Sequence, residues 1–326
     1  MKFRKVIFIL LVIIYINLTL TTFFYASYKL KRESFISSKA HYIDGVKFSD
    51  KSKSINIAYN VTKGVDLSFT ARVSEEDIQL MQEQIYQILG NEMDNYAIYV
   101  KDLNSTAYWE HNSTQAFYPA SIYKVPLAII TLKDIDDGKF TLTDNFLVTP
   151  ADKPYTFDRL AQIPGSYNMS VSELLRYMIV YSDNTAMITL ENRNGGVYAL
   201  QTRMQQELDI TGITRVPHIT NAASIAKFYQ GIYNQEYLTK ENNDYLLDLL
   251  KNTAATFDDR IVSGVPAEVE VAHKIGNLNG VYQDAGIVYA EHEYVIVILN
   301  KNTLTTTASS KISQISRIVY DVFGKD

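Results

Sequence analysis

The chain has 326 residues, of which 47% are hydrophobic and 21% charged, values typical of a globular protein rather than a disordered one. Its net charge of -5 leaves no basic surplus to neutralise phosphates, which argues against a nucleic acid partner. Cysteine is absent and the five histidines are scattered, so disulfides and thiolate chemistry are excluded, and we expect neither a metal nor another cofactor.

The first predicted element is a membrane anchor. Residues 6–28 form an uncharged stretch that is long enough to span a bilayer as a helix. Basic residues flank it and no clear cleavage site follows, so we interpret residues 1–28 as a short N-terminal segment with an uncleaved anchor. Residues 29–74 are interpreted as a stalk, with a candidate hairpin in which 55–61 and 65–69 alternate apolar and polar residues.

A helix is predicted to begin after Ser74, which is a good N-cap followed by three acidic residues in the first turn. An apolar stripe continues along this helix until Gly90 ends it. Two strands follow, at 96–101 and 106–110, on either side of a polar turn.

The remainder of the chain is predicted to be helical in the middle and to return to strands at its end. Residues 121–265 are interpreted as helices with loops. Three strands and a last amphipathic helix follow, at 268–274, 283–290, 294–300 and 312–322. We therefore predict an α+β fold: an antiparallel sheet flanked by the terminal helices, with an inserted all-helical subdomain, preceded by one transmembrane helix.

Ser121 and Lys124 form an S-x-x-K pair that places both side chains on one face of a helix, one turn apart. A serine hydroxyl is a poor nucleophile until a base removes its proton, and a lysine can do so when its pKa is lowered. The spacing alone is weak support, because Ser224 and Lys227 match it equally well. We interpret that second pair as an ordinary exposed helix face.

Two further motifs accompany Ser121 in chain order. Ser182-Asp183-Asn184 follows a predicted helix, and Lys274-Ile275-Gly276 lies on a predicted strand. Taken alone, each is better explained as a turn or a strand end. The ordered combination S-x-x-K, S-D-N, K-x-G resembles the serine β-lactamases and penicillin-binding proteins, in particular the class A β-lactamase branch. The resemblance implies a β-lactamase-like serine hydrolase domain over residues 75–326.

The resemblance implies a role for each motif residue in acyl transfer. Ser121 would attack the substrate carbonyl, and Lys124 would take its proton, with the free amine favoured by Lys274 nearby. Ser182 would relay a proton to the departing nitrogen. Asp183 would be structural rather than catalytic.

Substrate binding is likewise implied by the resemblance. Asn184 would bind the amide side chain of the substrate, and Lys274 would attract its carboxylate. Gly276 and Asn277 would lie against the substrate on the third motif. The backbone N–H groups of Ser121 and Asn277 would form an oxyanion hole.

Two departures from the family pattern qualify the expected activity. No E-x-x-L-N pattern appears, and the segment 209–222 passes directly into the next predicted helix. Without that glutamate, an acyl-enzyme formed with a β-lactam should hydrolyse slowly. Ile275 replaces the usual Thr or Ser, which removes one hydrogen bond worth roughly 1.5–3 kcal/mol to a substrate carboxylate.

The sequence therefore predicts a serine acyl-transfer hydrolase, acylated at Ser121 by β-lactams or by D-Ala-D-Ala-type peptidoglycan peptides. A genuine β-lactamase is the alternative within the same family. A catalytically silent cell-envelope binding module is the alternative of another class, favoured by Ile275 and the missing glutamate and opposed by the intact motif residues. The family acts outside the cytoplasm, so we expect a single-pass protein of the cell membrane with an extracytoplasmic domain.

Overall fold

The computed structural model describes residues 73–325. The predicted anchor (6–28), the candidate hairpin (55–69) and nearly all of the predicted stalk (29–74) lie outside the described residues. Within the described residues, no helix is both long enough and apolar enough to cross a membrane.

Nine strands and nine α-helices are found between residues 73 and 325. The strands are β1 (Tyr96–Asp102), β2 (Tyr108–His111), β3 (Asn145–Val148), β4 (Tyr167–Ser170), β5 (Ile213–Arg215), β6 (His218–Thr220), β7 (Glu270–Leu278), β8 (Val281–Tyr289) and β9 (Tyr294–Asn300). The helices are α1 (Glu75–Leu89), α2 (Lys124–Asp136), α3 (Val171–Val180), α4 (Asn184–Arg193), α5 (Gly196–Leu208), α6 (Ala222–Tyr233), α7 (Lys240–Lys251), α8 (Ile261–Gly264) and α9 (Thr305–Val319).

Helix α1 begins and ends where the sequence predicts. Ser74 Oγ accepts a hydrogen bond from the Asp77 backbone N–H, and the Asp77 carboxylate accepts one from the Ser74 N–H, which completes a capping box. The helix buries Met81 and Ile85 against the sheet core, and Gly90 follows with φ of +50°.

The main sheet is antiparallel, with strand order β2-β1-β9-β8-β7. The central strand β9 is buried on both faces, and its side chains alternate between two cores. Val295 and Val297 pack into the larger core with the middle helices, whereas Ile296 and Ile298 pack into the core shared with α1 and α9. The predicted α+β fold with terminal helices against an antiparallel sheet is therefore confirmed.

The inserted subdomain is not all-helical, and this part of the prediction is wrong. Strands β3 and β4 pair with each other, and so do β5 and β6. The β5–β6 hairpin lies within the segment 209–222, for which the sequence predicts a direct passage into helix α6. Strands of three or four residues are too short to show a measurable alternation, so their pattern is lost among loop residues.

Candidate active site

Ser121 lies on a 3-10 turn, Ala120–Tyr123, that runs directly into α2. Ala120 has φ of +45°, a left-handed conformation that residues with a side chain rarely adopt. Such strain is maintained only by the surrounding structure, and it clusters at active sites. The Ser121 side chain is partly exposed and lines a cavity of about 360 Å³.

Gln283 on β8 holds the backbone that precedes Ser121. Its Nε2 donates to the carbonyl oxygens of Tyr118, at 2.7 Å, and Pro119, at 3.1 Å. A Cβ at Gly276 on β7 would come within 2.8 Å of this same Nε2. Gly276 therefore leaves the space through which the Gln283 amide passes, a packing role that is not predicted from the sequence. Contact between Gly276 and the substrate stays a prediction.

Lys124 joins the first two motifs. Its Nζ lies 3.0 Å from Ser121 Oγ and 3.2 Å from Ser182 Oγ, 2.6 Å from the Ser182 carbonyl oxygen and 2.8 Å from Asn184 Oδ1. The carbonyl oxygen and Asn184 Oδ1 can only accept hydrogen bonds. A neutral amine has two N–H groups, which these two acceptors use, and its lone pair then remains for the Ser121 hydroxyl.

The protonation of Lys124 is set mainly by its burial. The side chain is fully buried, and burial lowers the pKa of Lys124 to about 7, while the carboxylates of Asp158 and Asp183 oppose this shift. The Arg215 charge adds to the lowering. A charge interaction also links Lys124 and Lys274, where it lowers the pKa of Lys274, so the effect of Lys274 on Lys124 stays a prediction. At neutral pH a large fraction of Lys124 is therefore the free amine that can accept a proton.

Ser182 and Asp183 form the turn before α4. Ser182 adopts φ of +57°, which directs both its carbonyl and its hydroxyl to Lys124. Asp183 is the N-cap of α4: one carboxylate oxygen accepts from the Ala186 N–H and the other from the Leu160 N–H. Both oxygens are thus used in holding backbone, which agrees with the structural role predicted for Asp183.

Asn184 lies between two buried ionisable groups. Its Oδ1 accepts from Lys124 at 2.8 Å, and its Nδ2 donates to Asp158 Oδ1 at 3.1 Å. An amide nitrogen carries two N–H groups, so one remains for a substrate in the cavity that Asn184 lines. Asp158 is not among the residues singled out from the sequence, where nothing marks this loop aspartate as special.

Lys274 on β7 is fully buried beside the first two motifs. Its Nζ has no hydrogen-bond partner among residues 73–325, and it lies 5.7 Å from the centroid of the Phe257 ring. Burial, together with the charge of Lys124, lowers the pKa of Lys274 well below its usual value. The cavity wall on this strand is formed by Ile275 and Asn277 instead. Contact between Lys274 and a substrate carboxylate therefore stays a prediction.

Arg215 on β5 lines the cavity and is not predicted from the sequence. Its guanidinium lies 2.5 Å from the carboxylate of Glu191 on α4, which also accepts a hydrogen bond from the Tyr123 hydroxyl at 3.3 Å. Burial raises the pKa of Glu191, and the Arg215 charge opposes that rise. The pair fastens the β5–β6 hairpin to the helices beside Ser121.

The opposite wall of the cavity is aromatic. Tyr155 and Phe157 stack with ring centroids 5.5 Å apart, and Phe157 is 72% exposed. Neither aspartate nor glutamate lines the cavity within the described part of the chain. The described residues that line the cavity therefore offer no carboxylate to activate water against an acyl group on Ser121.

A groove of about 620 Å³ continues from the cavity, and His218 and Leu278 line both. Lys301 lines the groove, where its ammonium lies 4.8 Å from the centroid of the Phe117 ring. The described residues contribute no carboxylate to the groove either. Its chemistry therefore suits an elongated ligand that is neutral or anionic where it passes Lys301.

The second S-x-x-K pair has no part in this site. Ser224 and Lys227 lie on α6, and Lys227 forms an ion pair with Asp209 at 2.6 Å, with both side chains mainly exposed. Lys227 is exposed as predicted, whereas Ser224 is half-buried next to Gly212, so the prediction of an exposed face holds for the lysine alone.

Residues 80–323 match the model of the beta-lactamase enzyme family. Among curated proteins, Beta-lactamase VEB-1 of Pseudomonas aeruginosa is 21% identical, over 79% of this chain and 95% of the relative. Extended-spectrum beta-lactamase PER-1 of the same organism is 25% identical, over 72% of this chain and 80% of the relative.

Solved structures similar to this chain point to the same family. PBP-A is similar with a TM-score of 0.70 and 26% identity, over 75% of this chain and 96% of that chain. A mutant of PBP-A, described as an acyl-enzyme complex with penicillin-G, has the same TM-score at 25% identity, over 75% of this chain and 96% of that chain. The chain therefore belongs to the beta-lactamase enzyme family and is a class A β-lactamase-like serine hydrolase of the β-lactamase and penicillin-binding-protein superfamily.

Proposed function

We propose that this chain is a penicillin-binding acyl-transfer enzyme that acts on peptidoglycan stem peptides ending in D-Ala-D-Ala and hydrolyses β-lactams slowly. One observation carries this proposal: the Ser121–Lys124 pair is fully assembled in a cavity whose described wall contains no carboxylate. The groups needed to form an acyl-enzyme are present. A carboxylate that would activate water for rapid β-lactam hydrolysis is not part of that wall.

In the proposed acylation, the Lys124 amine takes the Ser121 proton as Oγ forms a bond to the substrate carbonyl carbon. The resulting Lys124 ammonium returns a proton through Ser182 Oγ, 3.2 Å away, to the nitrogen as the carbon–nitrogen bond breaks. The oxyanion is held by the backbone N–H groups of Ser121 and Asn277. Asn184 offers its free N–H to the substrate amide.

Lys274 acts in this proposal as the partner of the substrate carboxylate. Burial lowers the pKa of Lys274 and its Nζ has no partner among the described residues, so an arriving carboxylate would favour the ammonium form and pair with it. Ile275 supplies no hydroxyl to assist it. We therefore expect the carboxylate to bind less tightly than it would beside a Thr or Ser.

The groove beside the cavity supports a peptide as the natural substrate. It shares His218 and Leu278 with the cavity, so a donor longer than a β-lactam can extend into it. Lys301 offers a charge to a carboxylate on such a donor. A β-lactam core alone would fill only the cavity next to Ser121.

A genuine β-lactamase remains the second candidate. The relatives VEB-1 and PER-1 are β-lactamases by name, and this favours hydrolysis of β-lactams by the present chain. The two candidates share acylation of Ser121 and differ only in how fast the acyl group leaves.

Labelling with a fluorescent penicillin and turnover of a chromogenic cephalosporin distinguish the candidates. We expect the full-length protein in mild detergent to retain the label, to release D-alanine from D-Ala-terminated peptides, and to turn over the cephalosporin slowly. Ser121→Ala should lose the label, whereas Ser224→Ala, which alters the other S-x-x-K pair, should keep it. Rapid cephalosporin turnover would favour the β-lactamase. A wild-type protein that takes no label and cleaves no peptide would contradict both candidates.

The proposed location is the outer side of the cell membrane, with residues 6–28 as a single-pass anchor and residues 29–74 as a stalk. The length of the uncharged stretch and the extracytoplasmic substrates of the family support it. Protease added to intact cells should release the domain of residues 75–326. Full protection in intact cells, with cleavage only after lysis, would contradict this orientation.

A further inference from the structure

Asp158 is a buried carboxylate with only one of its two oxygens hydrogen-bonded. It lies in the loop between β3 and β4, it is 6% exposed, and it does not line the cavity. Oδ1 accepts from Asn184 Nδ2 at 3.1 Å, whereas Oδ2 has no donor among residues 73–325. A buried acceptor without a partner lowers the stability of the fold. Among the described residues, Asn184 is therefore the side chain that holds this carboxylate.

The charge that compensates Asp158 is Lys124. Burial and the carboxylate of Asp183 raise the pKa of Asp158, whereas the Lys124 ammonium and the hydrogen bonds from Asn184 lower it. The Asp158 carboxylate in turn raises the pKa of Lys124 against burial. The protonation states of the two side chains are therefore linked.

Asn184 connects these two groups directly, because Oδ1 accepts from Lys124 and Nδ2 donates to Asp158. An ionised carboxylate can only accept hydrogen bonds, so Asp158 requires the nitrogen side of the amide to face it. The oxygen side must then face Lys124. The orientation of Asn184 is thus set by the two charges on either side of it.

The other charged groups around Lys124 have partners of their own or carry no negative charge. Both Asp183 oxygens accept from backbone N–H groups, and the Arg215 guanidinium is paired with Glu191. Lys274 on the β7 side is also fully buried, and burial together with the charge of Lys124 lowers its pKa. Asp158 is therefore the carboxylate near Lys124 that keeps an oxygen free of hydrogen bonds within the described residues.

We propose that Asp158 is a positioning residue of the active site, whose carboxylate orients the Asn184 amide and stabilises the protonated form of Lys124 during acyl transfer. This inference rests on the proposed role of Lys124 as the group that carries the Ser121 proton. When Lys124 becomes an ammonium in a fully buried position, Asp158 supplies the compensating negative charge. The proton then passes to the leaving nitrogen through Ser182, and Asp158 itself neither gains nor loses one.

The test is the titration of Lys124 itself, which requires no substrate. Lysine Cε carbons of the full-length protein are labelled with ¹³C, and Lys124→Met identifies the signal of Lys124. We expect a midpoint near 7 in the wild type. In Asp158→Asn it should fall by about one pH unit, because the carboxylate that favours the ammonium is removed.

Asp152→Asn is the matched control. Asp152 is 5% exposed, lies in the same connection between β3 and β4, and also accepts from an asparagine, because Asn192 Nδ2 donates to its Oδ1 at 2.8 Å. We expect Asp152→Asn to leave the Lys124 midpoint in place. An equal shift in both variants, or no shift in Asp158→Asn, would overturn the proposal. Asp158→Glu keeps the charge and should retain the wild-type midpoint, which provides a second test if Asp158→Asn folds poorly.

Acylation provides a separate readout. In Asp158→Ala, which removes both the charge and the acceptor for Asn184, the labelling rate with fluorescent penicillin should fall by at least about tenfold relative to Asp152→Ala at equal thermal stability. An unchanged rate would contradict the positioning role. If the wild type takes no label, the proposed acyl-transfer function fails, whereas the Lys124 midpoint still decides whether Asp158 controls that lysine.

Discussion

Gln283 crosses β7 directly over Gly276, so a Cβ at position 276 would lie 2.8 Å from Gln283 Nε2 and 2.9 Å from its Cγ. The amide that passes through this gap donates to the two carbonyl groups before Ala120. The sheet interior thereby restrains the strained backbone on which Ser121 is carried. A residue outside the cavity wall thus controls the position of the nucleophile.

Gly276→Ala should lower the rate of Ser121 acylation by about 30-fold, since displacing Gln283 loses two hydrogen bonds of about 1 kcal/mol each. Gln283→Leu should have a similar effect, because it removes the same two donors. The measurement is the second-order rate of labelling with fluorescent penicillin. Gln230→Leu, an equivalent change on α6, serves as the control. Wild-type rates in Gly276→Ala would show that the crossing does not position Ser121.

Acylation should increase as the pH rises through about 7. Burial lowers the pKa of Lys124 to about 7, so the free amine that accepts the Ser121 proton predominates only above that pH. Labelling rates between pH 5 and 9 check this expectation. Lys124→Met should lower the rate by about 10³-fold, within the usual range for a general base. A flat profile in the wild type would exclude Lys124 as the titrating group.

The same residue should make stability depend on pH. In an unfolded chain Lys124 has the ordinary lysine pKa of 10.5, and in the fold its pKa is about 7, so between these values the unfolded chain binds more protons. The free energy of unfolding should therefore rise as the pH increases from about 7 to 10.5. Melting temperatures at pH 7 and 9.5 should show this rise in the wild type and in Lys240→Met, an exposed control, but less of it in Lys124→Met. An equal rise in melting temperature in the wild type and in both variants would contradict a contribution from Lys124.

Arg215→Gln should destabilise the domain by about 3 kcal/mol, because it leaves the Glu191 carboxylate buried without its cation. The substitution should also move the rise of the acylation rate with pH to a higher pH, since the Arg215 charge helps lower the pKa of Lys124. Thermal melts and the pH profile of labelling measure the two effects. Arg203→Gln breaks a comparable ion pair with Asp134 away from the cavity, so it should lower stability without changing the pH at which the acylation rate rises. A change of that pH in Arg203→Gln would contradict a specific effect of the Arg215 charge on Lys124.

Phe157→Ala should weaken substrate binding without changing stability. The ring is 72% exposed and stacks on Tyr155 at the cavity wall, so its removal leaves no internal void. We expect KM for a peptide substrate to rise several-fold with kcat retained, and the melting temperature to stay within the small range of surface substitutions. Leu80→Ala, another exposed apolar residue but on α1, is the control. An unchanged KM would exclude the aromatic wall from binding.

Much of the fold could be predicted from short stretches of sequence. The N-cap at Ser74, the apolar run of β9 and the order of the three motifs are local patterns, because caps and strands depend on neighbouring residues. The hairpin of β5 and β6 escaped prediction because its strands are three residues long. Its pairing depends on the helices that it packs against.

The sequence by itself determined which chemistry this protein has available: a serine, a lysine and the S-D-N and K-x-G motifs in the order of one hydrolase family. Only the tertiary structure decided how Lys124 is made a base, because burial is a property of the assembled core. Asp158, Gln283 and Arg215 act across long sequence separations, on Asn184, on the backbone before Ser121 and on Glu191. No local pattern encodes such contacts, since they form only when the sheet and the inserted helices pack together.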